Sequence, residues 1–466
     1  MTVETGRSAL EAITMPSDRL AVEAGRLIIA GHDAAELLRQ HGSPLYVAVE
    51  ETLRANYRRI HEAFAARWPG AVMVLYAVKS NNTLAIRAVL SQEGAGGDCF
   101  GLGELHACLA GGTNPRRMVM NGSNKSLAEI AAAVAHGIAI NIDSEAEIDQ
   151  IAAVAPAGGG VPVNLRLKPL TPELNRFSGE FFKSGDDVLT SVQRVKWGFT
   201  RDSATGLVRR ILATPGLELQ GYSCHIGRFS NLPDAFAVVA GRLAQDIAAL
   251  HEATGFWPAM VDIGGGWPRQ REPESRGPAL NPYAIEDYAA AAADALLAAL
   301  APAGHPPPAL WLEPGRYIVG NAVLLLATVG AVKRDAGHHW VHVDASTNNL
   351  MRIDTSRAWH TILPATRMDE PALDVVDIVG STCIPSVLGA GRAMPPLRSG
   401  DAVAILDAGM YAEAISNQFN GIGRPATVLV SGDDVYVIKR RETVADVFAH
   451  HLVPPHLAVA PCKGTE

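Results

Sequence analysis

Lys79 closes the run Val72-Met-Val-Leu-Tyr-Ala-Val-Lys79, which carries no charge before its last residue. A run of that kind reads as a strand buried on both faces, and an amine at its end is placed to attack a carbonyl carbon. Burial is expected to help, because removing an ammonium from water favours loss of its proton. Other apolar runs end in Asp98, Asn121, Asp143, Arg166, His225, Gly264-Gly-Gly266 and Glu313-Pro-Gly-Arg316. Together these residue types suit pyridoxal 5'-phosphate. The amine takes the aldehyde, a flat ring covers the pyridine, backbone N–H groups of a glycine turn meet the phosphate, and a carboxylate faces the ring nitrogen. Each signal is weak alone: a strand-terminal lysine usually points into water, and a lone histidine is more often a satisfied core residue. The glycines match neither G-x-G-x-x-G nor G-x-x-x-x-G-K-[ST], which rejects a dinucleotide fingerprint and a phosphate loop.

Those residues meet only if the runs belong to one barrel. Eight apolar segments, at 72–79, 94–100, 118–122, 138–143, 161–167, 219–226, 260–263 and 309–313, recur with helical patterns such as 126–136, 235–254 and 284–301 between them. This alternation predicts a closed α/β fold, a (β/α)8 barrel whose strand ends converge on one face. From about Tyr317 the pattern turns β-rich, at 319–332, 340–344, 374–379, 401–406 and 427–438, and predicts a mostly antiparallel β domain. Gly432-Asp-Asp434 is its hairpin turn. The expected organisation is a leader over 1–45, with a strand at 27–30 that joins the β domain, then the barrel over 46–318 and the β domain over 319–466.

Hydrophobic residues make up 48% of the chain and charged residues 19%, a balance that describes a packed globular protein and not a disordered one. A formal net charge of −8 argues against nucleic acid or an anionic membrane as the main partner. The start of the chain holds Glu4, Arg7, Glu11 and Asp18, so it lacks the apolar core of a signal peptide, and no long uninterrupted apolar stretch follows. Five scattered cysteines without a C-x-x-C pair fit a reducing, cytoplasmic setting better than a disulfide framework or a zinc site, and no metal is expected.

In kind and order, Tyr76-Ala-Val-Lys79, His225-Ile-Gly227, Gly264-Gly-Gly266, Glu313-Pro-Gly-Arg316, Cys383 and Gly409-Met-Tyr411 resemble the fold type III pyridoxal-phosphate decarboxylases. The diaminopimelate side of that group is nearer than the ornithine side, and the resemblance runs from about residue 27 to about residue 450. It implies a barrel followed by a β domain, a homodimer with active sites shared at the interface, and decarboxylation of a small-molecule amino acid. By position it implies that Lys79 binds the cofactor covalently, that His225 covers the ring and that Glu313 faces its nitrogen. Gly264, Gly265, Gly266, Arg316 and Tyr411 would hold the phosphate or its surroundings, and Asp98 and Arg166 would be the charged pair near lysine and ring. Cys383 would come from the neighbouring subunit as the acid that protonates the carbon after CO2 leaves, although a free cysteine is most often a small buried residue.

The chain departs from the diaminopimelate enzymes where the far end of the substrate is read. The resemblance leads to an acidic residue directly after the cysteine, serving a distal ammonium, yet the run here is Cys383-Ile-Pro-Ser-Val-Leu-Gly389. Arg228 stands where a serine is expected after His-Ile-Gly. A buried ammonium without a carboxylate costs roughly several kcal/mol. The expected substrate is therefore an amino acid, conjugated or carrier-bound forms included, whose distal group is not a free ammonium, as in siderophore or secondary-metabolite routes. Arg228, Arg352, Asp344 and Ile384 are the residues expected at that end, and the stretch 171–182 either covers it or is a solvated loop. The alternatives are a diaminopimelate decarboxylase proper and a racemase of the same fold, which would need a second base on the opposite ring face. A non-catalytic cofactor carrier is disfavoured by the β domain.

Overall fold

The computed structural model describes residues 4–177, 187–225, 227, 230–273 and 280–457. Its first strands, Leu20–Glu23 (β1), Arg26–Ile29 (β2) and His32–Asp33 (β3), form a small antiparallel sheet of their own. Asp33 then starts a helix by accepting the N–H groups of Ala35 and Glu36. Leu45–Val49 (β4) follows, buried along its whole length.

Eight strands close the barrel: Val72–Ala77 (β5), Gly96–Phe100 (β6), Met118–Asn121 (β7), Ala139–Ile142 (β8), Val161–Leu167 (β9), Leu217–Cys224 (β10), Met260–Asp262 (β11) and Ala309–Leu312 (β12). Every neighbouring pair is parallel, and the ring closes where β12 meets β5. Parallel neighbours need crossovers, and helices supply them on the outer face. The helix Leu127–His136 begins with a reciprocal cap between Ser126 and Glu129, and the helices Pro233–Thr254 and Ile285–Leu300 pack on each other. Inside the barrel Leu75, Val119, Met260 and Trp311 form an apolar plug. Two residues further along the same chain segments stand Ala77, Asn121, Asp262 and Glu313, so a layer that is polar at three of its four positions rests directly on the apolar one.

The second sheet joins β4 to Val323–Asp335 (β13), His338–Val343 (β14), Ile362–Leu363 (β15), Asp374–Val379 (β16), Val387–Met394 (β17), Ala402–Ile405 (β18), Ala426–Ser431 (β19) and Asp434–Lys439 (β20). Its pairings are antiparallel except β14 with β16 and β4 with β19. The N-terminal strand in this sheet is β4, lying between β13 and β19, and not the run at 27–30. That run is bonded by β1 and β3 in a sheet of its own and meets the β domain through the Leu27 N–H, which donates to Ala365 O at 2.8 Å, and through a shared apolar core. Leader, barrel and β domain are pinned together by a buried ion cluster. Asp407 accepts from Arg269 at 2.5 Å and from Arg271 at 2.7 Å, and Arg271 also reaches Asp18 at 2.7 Å. Among the described residues no helix is long and apolar enough to cross a membrane.

Candidate active site

The strand ends deliver a connected set of side chains to the barrel mouth. Lys79 lies in the single turn Val78–Ser80 after β5, where its Nζ donates to Asp98 Oδ2 at 2.5 Å and sits 4.7 Å from the centroid of the Phe100 ring. The other oxygen of Asp98 accepts from Asn121 Nδ2 at 2.7 Å, and the same amide donates to Glu313 Oε1 at 2.7 Å. Asn121 Oδ1 accepts from Asn141 Nδ2 at 2.8 Å, and Asn141 Oδ1 from Asn164 Nδ2 at 2.9 Å. A row of three buried amides thus runs across β7, β8 and β9 into two carboxylates.

Across the mouth, His225 Nδ1 accepts the Gly265 N–H at 3.0 Å, which leaves the ring proton on Nε2, and Arg166 Nη2 donates to His225 O at 3.1 Å. Burial, then Lys79, Arg166 and Arg316, push the His225 pKa well below its usual value, so the ring is neutral. Gly264, at φ +73°, and Gly265 are required by close packing. A Cβ would sit 2.4 Å from Cys224 O at the first and 2.1 Å from Glu313 O at the second. The Gly264 N–H is spent on Asp262 Oδ1 at 2.8 Å. Gly266 is therefore the member of the turn whose N–H meets no protein acceptor among the described residues. Arg316 and Arg352 lie 5.9 and 5.4 Å from the centroid of the Tyr411 ring. The Tyr411 N–H donates to Ser80 O at 2.8 Å, fastening the β domain beside Lys79.

Burial does not free the Lys79 amine. It lowers the pKa by itself, but Asp98, then Glu313 and Tyr411, outweigh it and hold the ammonium above its usual range. Glu313 moves the other way for a carboxyl: burial, then Asp262 and Asp98, push it well up. Asp262 is pushed up to about 7, chiefly by burial. The mouth thus crowds three buried carboxyls. This donor set fits pyridoxal phosphate, because a cationic ring nitrogen at Glu313 would relieve that crowding. The Lys79 side chain also remains 32% exposed, open to an aldehyde, and His225 offers a neutral face.

Lys79, Asp98, Arg166, His225, the glycine turn, Glu313, Arg316 and Tyr411 are thus brought to one mouth. Asp98 and Arg166 are not partners of each other, since Arg166 has Asp143 as its carboxylate neighbour at 3.7 Å. Cys383 stands on an exposed loop between β16 and β17. Its N–H donates to Asn420 Oδ1 at 3.2 Å, and no hydrogen bond joins it to Lys79, His225 or Glu313. Ile384 beside it is half-buried. Asp344 uses its carboxylate on the Thr328 N–H at 2.9 Å within the β domain. Arg228 lies outside the described residues, as do residues 178–182 of the stretch expected to cover the substrate. Asn121 and Asp143 stand at strand ends without a role in the sequence reading, and Asn141, Asn164, Asp262 and Phe100 are additions. Each of three successive apolar strands carries one asparagine, and only the barrel register joins them into a row.

A family model for the pyridoxal binding domain of pyridoxal-dependent decarboxylases matches residues 50–320. A diaminopimelate decarboxylase of Methanothermobacter thermautotrophicus is 33% identical over 437 residues, which cover 93% of this chain and 97% of that one. One from Methanocaldococcus jannaschii is 32% identical over 457 residues, 96% of this chain and 100% of the relative. The crystal structure of a diaminopimelate decarboxylase from M. jannaschii aligns with a TM-score of 0.88 at 30% identity, covering 95% of this chain and 100% of that one. Its complex with L-lysine aligns with a TM-score of 0.85 at 30% identity, covering 96% and 100%.

Proposed function

The chain belongs to the pyridoxal-dependent decarboxylase family, and from that premise we propose that it removes the α-carboxylate of a diamino acid, diaminopimelate being the one for which its relatives are named. The observation that carries the site assignment is the bonded frame Lys79–Asp98–Asn121–Glu313, which holds an amine and a ring-nitrogen partner in one layer. Bound pyridoxal phosphate supplies an electron sink for the bond to the departing carboxylate. Lys79 would hold the cofactor covalently, and Asp98 Oδ2, which accepts from its Nζ, would control the proton on that amine. Glu313 sets negative charge, and with it a proton, at the ring nitrogen. His225 would cover one ring face without adding charge, and the Gly266 N–H with Arg316 would receive the phosphate. Phe100 flanks Lys79, its ring centroid 4.7 Å from Nζ. With diaminopimelate, equimolar CO2 and lysine should appear; absence of both would exclude that substrate.

A second reading, an amino acid whose distal end is neutral or anionic, is favoured by the loop that carries Cys383. No acidic residue lies between Ile384 and Gly389. Two other carboxylates of the β domain are committed, Asp344 to the Thr328 N–H at 2.9 Å and Glu413 to Lys439 at 3.0 Å and Thr427 at 2.8 Å. An uncompensated distal ammonium worth about 3 kcal/mol lowers kcat/KM roughly a hundredfold. In this reading carboxylate-, amide- or ester-ended amino acids outrun diaminopimelate, lysine and ornithine by that factor, and Arg228→Ser with Ile384→Glu moves the preference toward the diamino acids. Fast turnover of diaminopimelate by the unaltered protein excludes it.

Cys383 is assigned to a neighbouring subunit's site, where it returns a proton to the carbon. Mixing inactive Lys79→Ala and Cys383→Ala chains should then restore activity, because one of the two sites in a mixed dimer is whole. No recovery after proven subunit exchange would remove the cross-subunit role.

A further inference from the structure

We propose that Asn121 is a positioning residue, anchored by Asn141 and Asn164, that fixes which oxygen of Asp98 and which oxygen of Glu313 faces the reacting groups. The inference rests on the roles given to Lys79 and Glu313 above and adds a link between them. Its geometry is self-determining. Asn121 lies 2.7 Å from one oxygen of each carboxyl, and carboxylates accept, so the amide must turn its NH2 toward them and give one hydrogen to each. Its carbonyl is then forced toward Asn141, and the same constraint orients Asn141 and then Asn164. Asp98 is left with Oδ2, the oxygen on Lys79, and Glu313, which also shares a side-chain hydrogen bond with Asp262, with the oxygen not bonded to Asn121. The bond from Asn121 favours a proton on the other oxygen of each carboxyl. Protons exchanged at the mouth therefore stay on its open side.

The far end of the row argues that it is not there for stability. Asn164 is fully buried, and its Oδ1 has no hydrogen-bond partner among the described residues. An acceptor left unmade costs stability, whereas apolar side chains of similar shape in these otherwise apolar strands would not. What the row provides is coupling. The counterion of Lys79 and the counterion of the ring nitrogen share one donor, so a change of charge at either is felt at the other.

The test compares holoenzymes carrying Asn121→Leu, Asn141→Leu and Asn164→Leu by three readouts: bound-cofactor absorbance against pH, cofactor affinity of the stripped proteins by fluorescence quenching, and melting temperature. Asn121→Leu should move the absorbance midpoint by about one pH unit or more and lower kcat roughly tenfold to a hundredfold at similar KM. Asn164→Leu should shift the midpoint less, in the same direction, without lowering the melting temperature. If Asn121→Leu does not fold, Asn141→Leu carries the test, because it releases Asn121 without touching either carboxylate. A midpoint within about 0.2 unit of wild type in a folded, cofactor-loaded variant overturns the proposal, whatever the melting temperature does. Borohydride labelling of the same proteins separates the two levels. A label on Lys79 with a fixed midpoint overturns only the role of Asn121, whereas a label elsewhere overturns the assignment beneath it.

Discussion

Lys79→Ala abolishes turnover by roughly ten-thousandfold or more, the scale on which removing a covalent catalytic group acts, and the protein loses its covalently held cofactor. Reduction of the wild-type protein with borohydride, followed by peptide mapping, places the label on Lys79. Two features give this expectation its size. The amine is bonded to Asp98 at 2.5 Å, so its protonation is controlled by a fixed partner and not by solvent, and its side chain is still reachable. The competing buried amine is Lys125, which is committed to Glu147 at 3.0 Å and to the carbonyls of Gly122 and Asn141 at 2.7 and 2.6 Å. Burial pulls the Lys125 pKa down, which makes it the more nucleophilic of the two on charge alone. With a side chain only 1% exposed, it cannot be approached by an aldehyde. A label on Lys125 would invert the assignment of the whole mouth.

Glu313→Gln retains cofactor and loses turnover by roughly a hundredfold or more, as expected when one preorganised charge is taken from the site. Glutamine still offers an oxygen to Asn121, so the amide row survives. What is lost is the negative charge that keeps a proton on the ring nitrogen. The substitution also removes one of three crowded carboxyls, and burial with Asp262 and Asp98 beside it is what pushes Glu313 up in the first place. The cofactor-free variant should therefore melt no lower than the wild type. Undiminished turnover in this variant would show that the ring nitrogen does not need the carboxylate, and the electron-sink account of Glu313 would fall.

The barrel is legible in the sequence because parallel strands buried on both faces write themselves as continuous apolar runs. β9 and β16 fall on the runs at 161–167 and 374–379. The caps at Asp33 and Ser126 mark helix starts equally well. β17 is hidden because Gly389, Gly391 and Arg392 dilute its pattern, while its ladder with β16 supplies the bonds that propensity does not. The charge state of Lys79 is not readable from its own segment. Apolar neighbours in sequence say that the ammonium is weakened, and Asp98, arriving on the adjacent strand, reverses the sign. The amide row is illegible for a related reason. Asn121, Asn141 and Asn164 each look like a strand ending or an interruption, and only barrel closure in register makes them one chain of donors. Cys383 is named by resemblance alone, since it stands on an exposed loop whose own residues point to no chemistry.

The place of β4 between β13 and β19 has a consequence for how such a molecule can be made. The strand leaves the ribosome before the barrel does, and both of its sheet neighbours emerge after it. Until the last of them is translated, five buried backbone positions wait without the bonds that a sheet interior requires. The barrel can form in the interval, because its contacts lie within one continuous stretch. The second domain closes around a segment made before the barrel, so that stretches from either side of the barrel share one sheet. A gene cut between barrel and β domain would leave one fragment with an orphan strand and the other with an open slot. Domain exchange among relatives by simple recombination at that junction is correspondingly disfavoured.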